Sequence, residues 1–410
     1  MADSDLKPIA IKMRQLMGKY YKDAKLGKYK FKKIAWITSG GPVEPLISMG
    51  IIPVYPENHG AMIGARKMGA ELSDTAESLG YSRDLCSYFR ADVGHVVDQK
   101  SPIPGMSFIA KPGLPRPHLL VLCNNICGTV TKWYEVQARY FNVPLVFLDT
   151  PYNFDGPLDH LIDYVQEQFE EIIPQIEKAT GKKWNLDKFV KTAEIAQQGI
   201  QLWSQVLHTC ESSPSPMSCF DAFFFLAPIV TLRGDQVVVD FYKELIEVLQ
   251  KMVDEKKGAI PNEKYRLVWD NLPIWYRVRK LSQTFAKYDC CLVADTYTNA
   301  WADNEIAADD PMRSMARGYS TIFLNRNIES KIQNFCKLID QYNANGFVMH
   351  SNRSCKPYSF GQYDIKDEVQ RRTGLPGLII EADMTDERSY ADEQIDNRIQ
   401  AFAETLQERN

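Results

Sequence analysis

Short apolar runs alternate with longer amphipathic stretches along the chain, and this alternation predicts the order of elements. Eight apolar runs read as strands: 33–38 (KIAWIT), 51–55 (IIPVY), 119–122 (LLVL), 144–148 (PLVFL), 265–269 (YRLVW), 290–294 (CCLVA), 347–350 (FVMH) and 377–381 (GLIIE). Their apolar side chains follow one another without polar alternation, as in strands buried on both faces. Helical patterns lie between them, among them one long helix expected from Ala61 to about Leu79 and another after Gly128. Residues 5–30 predict an amphipathic, lysine-rich helix, an arm on the surface or against a partner.

The stretch 153–262 differs in character. It is strand-poor and reads as three long helices, with breaks at Gly181-Lys182-Lys183 and at 212–218 (SSPSPMS). The expected fold class is therefore α/β, with two similar doubly wound, Rossmann- or flavodoxin-like domains and a helical insertion between them. The boundaries predicted are an N-terminal helical arm over 1–29, α/β domain 1 over 30–152, the helical insertion over 153–262 and α/β domain 2 over 263–410. The two α/β units share a grammar: LLVLCNNIC then PLVFLD, and FVMHSNRSC then GLIIEAD. Each puts Asn and Cys at the tip of one strand and Asp at the tip of the next, so a duplicated fold gives Cys127 and Cys355 equivalent corners.

Composition narrows the function classes. The 410 residues are 45% hydrophobic and 24% charged with a formal net charge of −4, which recommends no nucleic-acid partner. The longest apolar stretch, 222–230 (AFFFLAPIV), is too short to span a bilayer, and the charged N-terminal segment lacks the apolar core of a signal peptide. A cytoplasmic location with no membrane partner is expected, where nine cysteines are core residues, metal ligands or catalytic groups and not disulfides. No G-x-x-x-x-G-K-[ST] occurs, so no ATP site is assigned to this chain despite the Gly40-Gly41 turn.

In open α/β sheets, ligands sit beyond the strand C-termini. That crevice holds Ser39, Glu57 and the thiols of Cys127 and Cys355, with His59 and His350 nearby and without an assigned role. A helix start after Cys127 is expected to lower that thiol's pKa. Two facing domains bring Cys127 and Cys355 to one cleft, and Cys86 completes a group of three. Single cysteines from distant segments suit a cluster at a domain interface better than a zinc knot, while inert thiols and a redox pair remain alternatives.

Several stretches also resemble a known family: GGPVEPLISMGIIPVYPENHGA (40–61), DLCSYFR (84–90), LCNNICGTVTKWYE (122–135), TGKKWNLDKF (180–189), SSPSPMSCFD (212–221), MHSNRSCKPYS (349–359) and QIDNRIQAF (394–402). They are similar to the 2-hydroxyacyl-CoA dehydratase/benzoyl-CoA reductase family, over essentially the whole length. The resemblance implies the iron–sulfur subunit of an (R)-2-hydroxyacyl-CoA dehydratase, which forms 2-enoyl-CoA through a ketyl radical. It implies a [4Fe–4S] cluster on Cys86, Cys127 and Cys355 with one iron free of protein ligands, and substrate contacts at Ser39 and Glu57. The implied partners are a related second subunit in a heterodimer, an acyl-CoA substrate and a separate ATP-dependent iron–sulfur activator. The other six cysteines match no family role and are expected in the core. The stretches 266–275 (RLVWDNLPIW) and 227–234 (APIVTLRG) resemble the benzoyl-CoA reductase branch, the main alternative; a double-cubane-cluster member and a non-catalytic member are the others.

Overall fold

All eight apolar runs form strands. The structure, a computed structural model, describes residues 5–27, 31–107, 109–154, 156, 158–303, 306–307 and 309–409. Helix α1 (Lys7–Leu26) leads into β1 (Ile34–Ile37), α2 (Val43–Ser48), β2 (Ile52–Val54), α3 (Pro56–Ala65), α4 (Gly69–Ser78), α5 (Ser87–Asp98), β3 (Leu119–Cys123), α6 (Gly128–Phe141) and β4 (Leu145–Leu148). Five helices follow without a strand: α7 (Asp159–Thr180), α8 (Leu186–His208), α9 (Cys219–Phe225), α10 (Ala227–Thr231) and α11 (Gln236–Asp254). The chain then runs through β5 (Tyr265–Asp270), α12 (Val278–Lys287), β6 (Cys290–Asp295), α13 (Thr296–Asn299), α14 (Pro311–Ser320) and α15 (Ile328–Gln341). It ends with β7 (Gly346–Asn352), α16 (Lys356–Ser359), α17 (Gln362–Thr373), β8 (Gly377–Ala382) and α18 (Asp392–Glu408).

The strands make two four-stranded parallel sheets, ordered β2-β1-β3-β4 and β6-β5-β7-β8. The two orders are the same when each sheet is counted from its own first strand, so β3 and β7 fill the same slot. In each sheet the chain turns one way after the first strand and crosses to the other side for the third. The crevice between those two strands is where such sheets receive ligands.

Strand side chains alternate between faces, and both faces are buried. Ala35, Ile37, Leu119 and Val121 of the first sheet share one core with Val268, Val293, Phe347 and Met349 of the second. Phe169, Trp203, Phe241 and Tyr242 from the intervening helices fill the same core. The opposite faces are covered separately: Trp36, Leu120 and Leu122 by one cluster, Leu267, Trp269 and Ile380 by another. Helix α1 carries Ile9, Ala10 and Met13 into the shared core, and its Tyr20 hydroxyl donates to the Pro53 carbonyl at 2.8 Å. Positions 28–30 of the expected 5–30 helix lie outside the described residues.

The long helix expected over 61–79 is instead two, α3 and α4. Lys67 takes a left-handed conformation (φ 56°) at the break. Gly69 then meets the loop after β8 so closely that a Cβ there would lie 2.0 Å from the Thr385 carbonyl oxygen. Only glycine permits that approach.

That contact belongs to a seam between the β1–β4 and β5–β8 units. The Ser87 amide donates to Ser354 Oγ at 3.1 Å, and Ser354 Oγ donates to Asp383 Oδ2 at 2.5 Å. Alongside, the buried Arg90 guanidinium bridges Glu77 at 2.6 Å and Asp386 at 3.0 Å. Arg388 bridges the same two carboxylates at 2.6 Å each. Burial alone would raise the Asp386 pKa, but hydrogen bonds from Arg388 and Arg90 override it and hold the group at about 2.

Two outcomes follow from the seam. Asp386→Asn leaves Arg90 buried without its full counter-charge and lowers unfolding free energy by about 3–5 kcal/mol in denaturant titration. Because the native carboxylate is depressed from an unfolded value of about 3.9, its contribution is complete above pH ~4 and disappears as pH falls toward about 2, so the variant loses less stability than wild type across that window. Ser354→Ala strips the Ser87 amide and Asp383 of a buried partner and costs about 1–3 kcal/mol in the same measurement.

Candidate functional site

Ser39, Glu57, Cys86, Cys127 and Cys355, all singled out from the sequence, line one cavity of about 160 Å³. Ser39 follows β1, Glu57 lies in the first turn of α3 after β2, Cys127 follows β3 and Cys355 follows β7. The first sheet thus contributes three strand tips and the second sheet one. Gly40 lets the β1 tip approach the β3 tip, since a Cβ there would lie 2.7 Å from Asn125 Oδ1.

Each of the three thiols is the N-cap of a helix: Cys86 of α5, Cys127 of α6 and Cys355 of α16. Nearby first-turn backbone N–H groups, of Tyr88 and Phe89 for Cys86, Thr129 and Val130 for Cys127, and Tyr358 for Cys355, pull the thiol pKa values down. The thiols also feel one another. Burial, followed by the neighbouring sulfurs, pushes Cys355 well up, and burial pushes Cys86 up to about 12. The helix start was expected to lower the Cys127 pKa; burial outweighs its amides and the pKa is raised.

Glu57 is 8% exposed. Its Oε2 accepts the Ser39 amide at 2.7 Å and the Ser39 hydroxyl at 3.2 Å. Burial raises its pKa to about 7 against the pull of those hydrogen bonds. Behind it, Asp92 is held by Trp133 Nε1 at 2.7 Å and Gln137 Nε2 at 2.6 Å, and burial likewise raises it to about 7.

Most of the remaining wall is apolar or aromatic, including Trp133, Val230, Tyr297, Trp301 and Phe323. Arg233 also lines it. Its Nε donates to Glu44 Oε1 at 2.8 Å, its Nη2 donates to the Tyr319 hydroxyl at 2.6 Å, and that hydroxyl donates to Glu44 Oε2 at 2.8 Å. Asn58, Val230 and Tyr297 are shared with a larger groove of about 930 Å³ between α1, α3 and the α9–α10 segment, where Arg14, Lys22, Lys25 and Arg66 lie.

The sequence reading missed Arg233, Tyr319, Tyr297 and Trp301. The run APIVTLRG, noticed for its resemblance, contained the only available signal for Arg233. His59 and His350 are buried in the interior, His59 against Ser101 Oγ at 2.7 Å and His350 against the Leu272 carbonyl at 2.7 Å, and burial lowers both pKa values. Cys123, Cys210, Cys219, Cys290 and Cys291 are core residues and Cys336 is half-buried. Among the described residues, no group of three or more His, Cys, Asp or Glu is arranged to hold a single metal ion, and no helix is long and apolar enough to cross a membrane.

Comparison with known proteins adds a family. The chain is 33% identical to the alpha subunit of (R)-2-hydroxyisocaproyl-CoA dehydratase from Clostridioides difficile, over 99% of this chain and 98% of that one. It is 31% identical to the alpha subunit of lactoyl-CoA dehydratase from Anaerotignum propionicum, over 97% of each. It is also 28% identical to one of the subunits of benzoyl-CoA reductase from Thauera aromatica, over 92% of this chain and 89% of that one. Residues 38–406 match the family described as 2-hydroxyglutaryl-CoA dehydratase, D-component, and the chain belongs to that family.

Proposed function

We propose that this chain is the cluster-bearing subunit of a cytoplasmic (R)-2-hydroxyacyl-CoA dehydratase, which removes water from a 2-hydroxyacyl-CoA to give the 2-enoyl-CoA. The observation that carries this reading is the meeting of three N-cap thiols with the Ser39–Glu57 pair in one apolar cavity. The relatives' names support the reaction class.

The donor set fits an iron–sulfur cluster. Three half-buried thiols, two of them raised by neighbouring sulfurs, form thiolates only against strong positive charge. Thiolates on a cluster bind separate irons, so they need not stand as close together as the ligands of one ion. The helix N-termini that follow the three cysteines favour the negative charge a cluster carries. When bound to Cys86, Cys127 and Cys355, a [4Fe–4S] cluster would supply one-electron chemistry and an iron open to a substrate oxygen.

The residues around it answer the difficulty of the reaction. In a 2-hydroxyacyl thioester the 3-hydrogen is barely acidic and hydroxide leaves C2 poorly; an electron held transiently in the thioester removes both obstacles. The Ser39 hydroxyl turns from Glu57 to an oxygen on which negative charge grows. Glu57, poised near neutrality, gives its proton to the departing hydroxyl and then takes the 3-proton, so water leaves and the carboxyl is restored. The apolar walls exclude solvent. The basic groove that shares Asn58, Val230 and Tyr297 accommodates the phosphate-bearing carrier. A related second subunit and an ATP-hydrolysing iron–sulfur activator complete the system.

A second reading, subunit of an ATP-dependent aromatic acyl-CoA reductase, draws on the Thauera aromatica relative and the aromatic cavity wall. With activator, ATP and reductant, catalytic ATP and 2-hydroxyacyl-CoA consumption supports the dehydratase; stoichiometric ATP with benzoyl-CoA supports the reductase.

Two measurements test the site. Cys86→Ser, Cys127→Ser or Cys355→Ser lowers the iron content and visible absorbance of the anaerobically purified complex; unchanged iron would refute the ligand set. Glu57→Gln lowers kcat by about 10²–10⁴-fold with acyl-CoA binding retained. Turnover near wild type would remove Glu57 from proton transfer.

A further inference from the structure

We infer that the cavity selects a 2-hydroxyacyl group with an apolar, branched or aromatic tail, that it rejects a tail ending in a second carboxylate, and that Ala300 limits tail size. The inference rests on the acyl-CoA reading above and specifies its substrate.

The wall provides the first ground. Ile126, Tyr297, Ala300, Trp301, Ile322 and Leu324 line the cavity and keep part of their surface open. A tail placed among them exchanges water for hydrocarbon and ring faces, which favours apolar groups in proportion to the area covered. The wall is also stiff. Asp295 accepts the Thr298 amide at 2.6 Å and the Thr298 hydroxyl at 2.5 Å, and the Thr298 carbonyl accepts Trp203 Nε1 at 3.0 Å. Tyr297, Ala300 and Trp301 are therefore carried on a buried anchor close by in the chain. Such a wall discriminates by shape instead of yielding to whatever enters.

Charge provides the second ground. Among the described residues, Glu57 and Arg233 are the ionisable groups other than cysteine and tyrosine that line the cavity. Arg233 is the one cation among these lining residues, and it is already committed in the closed triangle with Glu44 and Tyr319. Its guanidinium carbon lies 5.8 Å from the Trp301 ring centre and 5.9 Å from that of Tyr319. A carboxylate on the tail would meet a cation whose charge Glu44 already balances, with Glu57 in the same water-poor space. Nothing there offsets the loss of its hydration.

Size provides the third. Ala300 presents a single methyl between Tyr297 and Trp301 in sequence, at the end of α13. A larger side chain there fills the space a bulky tail needs and leaves a short tail its place.

The test is equilibrium binding to the anaerobically purified complex of this chain and its partner subunit, without activator so that no turnover occurs. The probes are the CoA thioesters of 2-hydroxy-4-methylpentanoate, 2-hydroxy-3-phenylpropanoate, 2-hydroxypropanoate and 2-hydroxyglutarate. The first two are expected to bind at least about 10-fold more tightly than the 2-hydroxyglutaryl thioester. In Ala300→Phe, and less steeply in Ala300→Leu, the two bulky thioesters lose about 10-fold or more while the 2-hydroxypropanoyl thioester changes by under about 3-fold. Equal or tighter binding of the 2-hydroxyglutaryl thioester would overturn the inference and leave the acyl-CoA reading standing. So would a uniform loss across all probes in both folded variants. Failure of all four thioesters to bind wild type would overturn the acyl-CoA reading and this inference with it. The wild-type ranking needs no variant, so a misfolded substitution does not shield the claim.

Discussion

The site depends on a hydrogen-bond chain between residues 267 positions apart, from the Ser87 amide to Ser354 Oγ and on to Asp383. Ser87 follows Cys86, and Ser354 precedes Cys355. Neither cysteine's own sheet determines where the other lies. The seam does, and it is reinforced where errors would be largest. Arg90 and Arg388 clamp Glu77 and Asp386 across it, and Gly69 lets the backbones meet at a distance no side chain tolerates. A buried, paired network of this kind contributes more to alignment than to net stability.

The cavity that results is costly to charge. Glu57 and Asp92 are withdrawn from water and the three thiols partly so, and each is pushed toward its neutral form. The fold meets this cost with oriented dipoles and not with counter-ions: helix first turns face the sulfurs, and the Ser39 amide and hydroxyl face Glu57. The cation that does line the cavity, Arg233, is neutralised from behind by Glu44. Protonation in such a space responds to whatever charge arrives, which suits chemistry in which a proton must be given and then retrieved.

Much of this is legible in the residues alone. Strands buried on both faces leave uninterrupted apolar runs, so all eight stand out, and their C-terminal tips point to Ser39, Glu57, Cys127 and Cys355. The repeated Asn–Cys and Asp tips of the two halves predict equivalent slots for β3 and β7, which the strand orders share. What escapes is what long-range packing decides. The lysines of α1 suggest a surface arm, yet Ile9, Ala10 and Met13 enter the shared core. Just past the break between α3 and α4, Gly69 packs against Thr385, more than three hundred residues away. Cys127 illustrates the same point in energetic terms: the helix start visible in the sequence favours a thiolate, and the burial visible only in three dimensions outweighs it. The Arg233–Glu44–Tyr319 triangle joins three segments with no common pattern, so no periodicity announces it.

The division of the site between the two ends of the chain has a consequence for biosynthesis. β1 to β4, with Cys86 and Cys127, leave the ribosome while Ser354, Cys355 and Asp383 are still to be translated. Domains begin to fold as they emerge, N-terminal first. The cavity and the seam can be completed only after the second sheet's Ser354, Cys355 and Asp383 are made. Closure of the cavity is in this sense a late event, and the interval before it is when Cys86 and Cys127 are most open to oxidation.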